Sequence, residues 1–239
     1  MPPVVDLLAL PCAGASATMY ARWRLMLPDW VRLVPLELPG RGTRMAEPLI
    51  EDFGRLVREL YPSLPARPYV LFGHSMGALL AHGLVRRAQA SGGPLPLALW
   101  VSGSPAPACR DPLRYQVLDD DALIADLRRH GGTPEAVLAH PDLRRLTLDT
   151  LAADYRVCAS YRHASSLPLS LPIRVLAGRA DDIAPDHITA WRLETTAAFD
   201  IDWFDGGHFF IRQHEAAVLA TLVRALETLR EGLHRAVPC

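Results

Sequence analysis

The segment Tyr69-Val70-Leu71-Phe72-Gly73-His74-Ser75-Met76-Gly77-Ala78-Leu79-Leu80 constrains the fold more than any other stretch of the chain. A β-branched and aromatic apolar run ends in Gly-x-Ser-x-Gly and passes at once into a small-residue helical pattern. This is the sequence form of a sharp strand-to-helix turn that lifts a serine hydroxyl out of the top of a sheet. Gly73 and Gly77 flank the turn, where a Cβ would collide with the neighbouring strand or helix. The helix beginning at the serine aims its N-terminal amides and dipole at the place where negative charge would develop.

Composition narrows the field around that turn. The chain has 239 residues, half of them hydrophobic, enough to bury the core of one large α/β domain. A formal net charge of −1 gives no electrostatic reason to expect nucleic acid or an anionic membrane as partner. All 25 basic residues are arginine. Schiff-base, P-loop and Ser-Lys chemistry each need a lysine amine and are thereby excluded. Cys12, Cys109, Cys158 and Cys239 lie far apart without a C-x-x-C pair, so no metal site or disulfide framework is expected. The N-terminus lacks a basic region, and Val4–Leu10 is too short and too interrupted for a signal peptide. A cytoplasmic protein with reduced thiols is expected.

Short apolar runs alternate with helical patterns, which implies a mainly parallel sheet covered on both faces. Strands are expected at Val4–Leu10, Val31–Leu36, the run before Gly73, Leu97–Val101, Ile173–Ala177 and Ile201–Phe204. Ser16 should cap a helix with Met19, Trp23, Met26 and Leu27 on one face. Phe53, Leu56, Val57 and Leu60 mark an amphipathic helix, as do Leu219, Leu222, Val223, Leu226 and Leu229 near the C-terminus. Between Val101 and Ile173 lie about seventy residues without a strand-like run, far beyond an ordinary crossover. Helices are expected there from Asp119 to Gly131, after Thr133 as N-cap with Pro134 at the first helical position, and after Pro141 with Leu143, Leu146, Leu151, Tyr155, Cys158 and Tyr161 inward. Such an insertion, roughly residues 105–168 of a single domain spanning 1–239, would form a lid above the serine.

A serine needs a base, and the base needs a carboxylate to fix its tautomer. With the strand-turn-helix serine the chain order is Ser, then Asp or Glu, then His, on loops after later strands. Asp181 and Asp182 follow the strand ending at Ala177. Asp181 is preferred, because it stands three residues after Gly178 in Gly-x-x-Asp-x-Ile-x-Pro. His208 follows the last strand behind Gly206-Gly207. Of the other histidines, His74 should point away from the serine, and His82 lies on the helix after it. His130, His140 and His163 are expected to be solvated or capping, and His187, His214 and His234 to lie at the surface. The oxyanion donors should be the amides of Met76 and of Ala13 in the loop Pro11-Cys12-Ala13-Gly14-Ala15-Ser16. Cys12 has no assigned base and reads as a packing residue.

With these residues assigned, the chain resembles the type II thioesterases, the free-standing editing enzymes of polyketide and non-ribosomal peptide assembly lines. The resemblance runs almost end to end through Leu10-Pro11-Cys12-Ala13-Gly14-Ala15-Ser16, Leu38-Pro39-Gly40-Arg41, Phe72-Gly73-His74-Ser75-Met76-Gly77-Ala78, Gly131-Gly132-Thr133-Pro134 and Phe204-Asp205-Gly206-Gly207-His208-Phe209-Phe210. The family usually carries His-Ala-Gly-Gly in the first loop; here Cys12 and Ala15 replace the first and last of these. The resemblance implies an α/β-hydrolase fold with a helical lid, a Ser75-Asp181-His208 triad and no metal or other cofactor. It also implies acyl substrates held on the phosphopantetheine arm of an acyl or peptidyl carrier protein. Two alternatives remain at this stage: another serine hydrolase or acyltransferase using the same triad, and a catalytically silent module that docks carrier proteins.

Overall fold

The computed structural model describes residues 5–115, 119–164 and 166–236. Val4, expected to open the first strand, and Cys239 lie outside them. The elements run β1 (Val5–Leu10), a 3-10 helix (Ala17–Leu25), β2 (Val31–Pro35), α1 (Phe53–Leu60), β3 (Tyr69–His74), α2 (Met76–Ser91) and β4 (Ala98–Ser102). Then follow α3 (Asp120–His130), α4 (Glu135–Ala139), α5 (Pro141–Ser160), β5 (Ile173–Gly178), α6 (Pro185–Thr189), β6 (Phe199–Phe204), α7 (Phe210–Gln213) and α8 (Glu215–Ala236). The six strands form one sheet in the order β2-β1-β3-β4-β5-β6, and every pairing is parallel.

β1, β3 and β4 are buried along their whole length, which explains their unbroken apolar sequences. Alternate residues serve two cores. Leu8, Leu10, Tyr69 and Leu71 pack with α1, α2 and α5 on one face. Leu7, Ala9, Val70 and Phe72 pack on the other with Tyr20, Trp23 and the α8 residues Leu219, Leu222 and Leu226. Asp6 interrupts this pattern, fully buried within β1. It accepts Arg32 Nε and Nη2 at 2.9 and 2.6 Å and Arg67 Nε at 2.7 Å.

The segment after Ser16 is a 3-10 helix rather than the expected α-helix. Side chains three apart eclipse in that geometry, so Tyr20 and Trp23 turn inward together, with ring centroids 4.8 Å apart, and both meet Phe72. Met26 is left 43% exposed. No helix among the described residues is long and apolar enough to cross a membrane.

Helices α3 to α5 occupy the strandless interval between β4 and β5. Asp119 caps α3 by accepting Ala122 N at 2.9 Å, and Gly131 ends it at φ +67°. Pro134, not Thr133, holds the N-cap position of α4, because its ψ of 141° places it before the helix. On α5, Leu151 and Cys158 are buried as expected, whereas Leu143 and Leu146 are exposed. At 20 residues, α5 outruns the 11-residue α3 and the 5-residue α4 that pack beside it.

A polar cluster ties α2 to the segment ahead of β6. Buried Glu194 accepts Arg86 Nη2 at 2.6 Å and lies 3.1 Å from His82 Nε2, while Arg86 also reaches Leu167 O. Burial opposes ionisation of Glu194, but hydrogen bonds and charge from His82 and Arg86 outweigh it and hold the carboxyl at about 2. A depressed folded-state pKa contributes stability that is complete above the ordinary value of 4.5 and is lost as pH falls toward 2. Glu194→Gln is therefore expected to cost about 3 kcal/mol at pH 7, roughly 6–12 °C in Tm. It should also flatten the acid limb of the Tm profile below pH 4.5 relative to wild type, as measured by thermal unfolding across pH.

Candidate active site

The turn at Ser75 is strained and fully determined by its surroundings. Ser75 has φ +56° and ψ −114°, the one positive φ outside glycine among the described residues. A Cβ on Gly73 would stand 2.1 Å from Gly77 O, and one on Gly77 would stand 2.2 Å from Leu10 O. Both contacts are with backbone that cannot yield, so glycine is required at each position. Ser75 N donates to Ser102 O at 2.7 Å, which anchors the turn to β4.

Three residues remote in the chain meet above the sheet. Ser75 Oγ lies 2.9 Å from His208 Nε2, and His208 Nδ1 lies 2.9 Å from Asp181 Oδ2. A Cβ on Gly178 would stand 2.6 Å from Gly207 O, so the loops bearing the acid and the histidine approach backbone to backbone. Ala180 N donates to Gly206 O at 2.9 Å and fastens them. The adjacent acids are thus separated by environment. The Asp181 side chain is 4% exposed against the imidazole, whereas that of Asp182 is 50% exposed and paired with Arg129 at 2.6 Å.

His74, expected to point away from the serine, has Nδ1 3.0 Å from Ser102 Oγ on β4 and its ring centroid 5.0 Å from that of His208. Burial, reinforced by the nearby His208 and Arg212, pushes its pKa well below the ordinary value and keeps it neutral. His140 accepts the Leu143 amide at the start of α5, and His163, His187 and His214 are exposed. The side chain of His234 lies outside the described residues. His130 differs from the expected solvated role: it is half-buried, and its ring centroid lies 5.0 Å from that of His208. Burial, then the charge of His208, lowers its pKa. His130 is the last residue of α3, so its approach to the site is set by where that helix packs, a placement that local sequence does not encode.

A cavity of about 390 Å³ opens above Ser75. The sheet side supplies Cys12, Ala13, Met76, Gly103 and His208, and the inserted helices supply Leu127, His130, Leu151 and Tyr155. Phe209 packs under Gly132, where a Cβ would stand 2.4 Å from its ring, and Arg212 Nη1 donates to Gly132 O at 2.8 Å. Met76 N opens α2, and neither it nor Ala13 N has a hydrogen-bond partner among the described residues. No group of three potential metal ligands occurs among the described residues.

Cys12 also faces the cavity, but burial pushes its thiol up to about 11. Cys158 is likewise buried and pushed up to about 11. Since the thiolate is the reactive form, iodoacetamide at pH 8 is expected to spare Cys12 and Cys158 in the native protein and to alkylate both after denaturation. Peptide mass spectrometry reads this difference.

Comparison with known proteins places this geometry in a family. The thioesterase domain profile matches residues 6–227. The thioesterase PikA5 of Streptomyces venezuelae is 35% identical over 212 residues, covering 87% of this chain and 75% of the relative. The type II thioesterase BorB from the borrelidin biosynthetic cluster superposes with a TM-score of 0.84 at 37% identity, over 94% of this chain and 93% of that one. ClbQ from the colibactin NRPS/PKS pathway superposes with a TM-score of 0.86 at 32% identity, over 95% and 98%. The parallel sheet, the strained serine turn and these end-to-end similarities agree: the chain has the α/β-hydrolase fold and belongs to the thioesterase family.

Proposed function

We propose that this thioesterase hydrolyses acyl groups from the phosphopantetheine arm of acyl or peptidyl carrier proteins in polyketide and non-ribosomal peptide synthesis, removing aberrant acyl units. The observation that carries the reading is the continuous relay from Asp181 through His208 to Ser75 at the floor of the cavity. Similarity to thioesterases of such pathways supports the choice of carrier-bound substrates.

In this reading Ser75 Oγ attacks the thioester carbonyl while its proton passes to His208 Nε2. Asp181 accepts Nδ1–H, fixes the tautomer and stabilises the imidazolium. The amides of Ala13 and Met76 donate to the oxyanion. Collapse breaks the C–S bond and expels the pantetheine sulfur, whose thiol pKa of about 8.5 makes it a good leaving group. His208 returns the proton to it. A water then attacks the Ser75 ester, giving its proton to His208, which passes it to Ser75 Oγ as the carboxylic acid departs. The second half is the harder one, because an alkoxide leaves less readily than a thiolate. Residues 1–239 act as one domain, and the insertion at about 105–168 acts as the lid that shields the acyl-enzyme from bulk water.

Ser75→Ala is expected to abolish free-thiol release from acyl-loaded carrier proteins. Retained turnover would show that Ser75 is not the nucleophile. Asp181→Asn is expected to lower kcat about 10⁴-fold by admitting the wrong tautomer. Asp182→Asn should cost less than threefold, because its partner is a surface arginine. Steady-state kinetics on the two variants separate the adjacent acids. A strong preference for oxyesters over matched acyl-pantetheine thioesters would count against the carrier-protein substrate.

A further inference from the structure

The loop that carries Ala13 is held by a buried ion pair drawn from two distant segments. Asp154, in the middle of α5 and fully buried, accepts the Gly14 amide on Oδ2 at 2.7 Å. Arg41, 5% exposed, clamps the same carboxylate at 2.6 Å to Oδ2 and 2.7 Å to Oδ1. Arg41 Nη1 also donates to Ala15 O at 3.2 Å. The peptide groups that follow Ala13 are therefore gripped through both a donor and an acceptor. Ala13 itself packs on Leu123, Leu148 and Leu151 of the insertion.

The Pro39-Gly40-Arg41-Gly42 loop is shaped for this reach. Gly40 at φ +80° and Gly42 at φ +51° fold the chain around extended Arg41 at φ −150°, and Gly40 N closes onto Arg44 O at 3.0 Å. A lone carboxylate beside an oxyanion site would oppose the charge that develops there. The bidentate guanidinium cancels that field while leaving the hydrogen bond to Gly14 intact.

We propose that Asp154 and Arg41 are positioning residues for the oxyanion hole: Asp154 orients the Ala13 amide toward the reacting carbonyl through Gly14, and Arg41 neutralises the carboxylate that does so. This rests on Ala13 being an oxyanion donor, as in the function proposed above. It also makes α5 the fixed post of the insertion, because the helix that roofs the cavity is the one that braces its floor.

Two variants separate positioning from stability. Asp154→Asn retains an oxygen for Gly14 N but loses the ion pair and leaves Arg41 buried and unpaired. Asp154→Leu with Arg41→Met removes both charges and fills the space, a replacement that commonly restores stability. The expected rankings are opposite. The single variant should melt lowest yet keep kcat within about fivefold of wild type. The double variant should recover Tm while kcat falls about 10- to 100-fold with KM little changed, as for a donor displaced by a fraction of its hydrogen-bond length. Rates are read on both an S-acyl-N-acetylcysteamine thioester and a p-nitrophenyl ester, and amide exchange in the peptide covering residues 12–16 is followed by mass spectrometry. A double variant with wild-type protection of that peptide, or with kcat within threefold of wild type, overturns the proposal. Wild-type enzyme that cleaves the p-nitrophenyl ester but ignores acyl carrier proteins instead overturns the carrier-protein reading and leaves the loop test standing. If neither small substrate turns over, amide exchange alone decides.

Discussion

The placement of Ser75, to which the rest of the site is fitted, depends on one backbone constraint, the forced positive-φ turn in which it sits. An L-residue at φ +56° persists only where its neighbours leave no other path. Here the path is fixed by β1 pressing Leu10 O against Gly77, by Gly77 O pressing against Gly73, and by the hydrogen bond from Ser75 N to β4. β3 can be held this way because it lies inside the sheet between β1 and β4, with apolar layers on both faces. The strain is offset by the packing of the sheet, and in return the hydroxyl stands clear of the helix that follows it.

Much of this was legible in the sequence because it is local. Gly-x-Ser-x-Gly between an apolar run and a small-residue helix specifies the turn whatever packs around it. His208 was legible because Gly206-Gly207 is a close-approach signal after a strand. Between Asp181 and Asp182 the spacing from Gly178 indicated the residue that the structure places against the imidazole. What the sequence hid is long-range. The Arg41–Asp154 pair joins residues 113 apart in the chain, and although Asp154 falls among the apolar residues Leu151, Ala153, Val157 and Cys158 of α5, nothing in that pattern names Arg41 as its partner. His130 was misjudged for the same reason. Its approach to His208 depends on where α3 lands, which pattern and propensity do not specify. The 3-10 form of the helix after Ser16 was not foreseen because Met19, Trp23, Met26 and Leu27 fit a near-four-residue repeat, whereas the residues that turn inward are Tyr20 and Trp23, three apart.

The insertion is therefore better understood as two parts with different attachments. α5 reaches into the body through Asp154, Leu151 and Val157, and Phe53 N is bonded to Ser160 Oγ at 2.8 Å near its end. α3 is joined to the body across the cavity mouth through Arg129 and Asp182, both about half exposed, and by Arg212 reaching Gly132 O. The first set of contacts combines apolar packing with a buried ion pair shielded from solvent, and the second is wet and screened by salt.

Asp6 has a consequence at the far end of the sheet. Parallel strands share no hairpin, so nothing in their connections dictates how far one may slide along the next. The carboxylate in β1 answers Arg32, directly opposite in β2, and Arg67, two residues before β3. A slip of one residue would shift β1 by about 3.3 Å, turn its alternating side chains to the wrong layers and strand that acid in hydrocarbon. Ala13 follows the upper end of β1 and Ser75 that of β3, so the charge at the base acts as a vertical gauge, setting the height at which the proposed nucleophile and the proposed oxyanion donor come level.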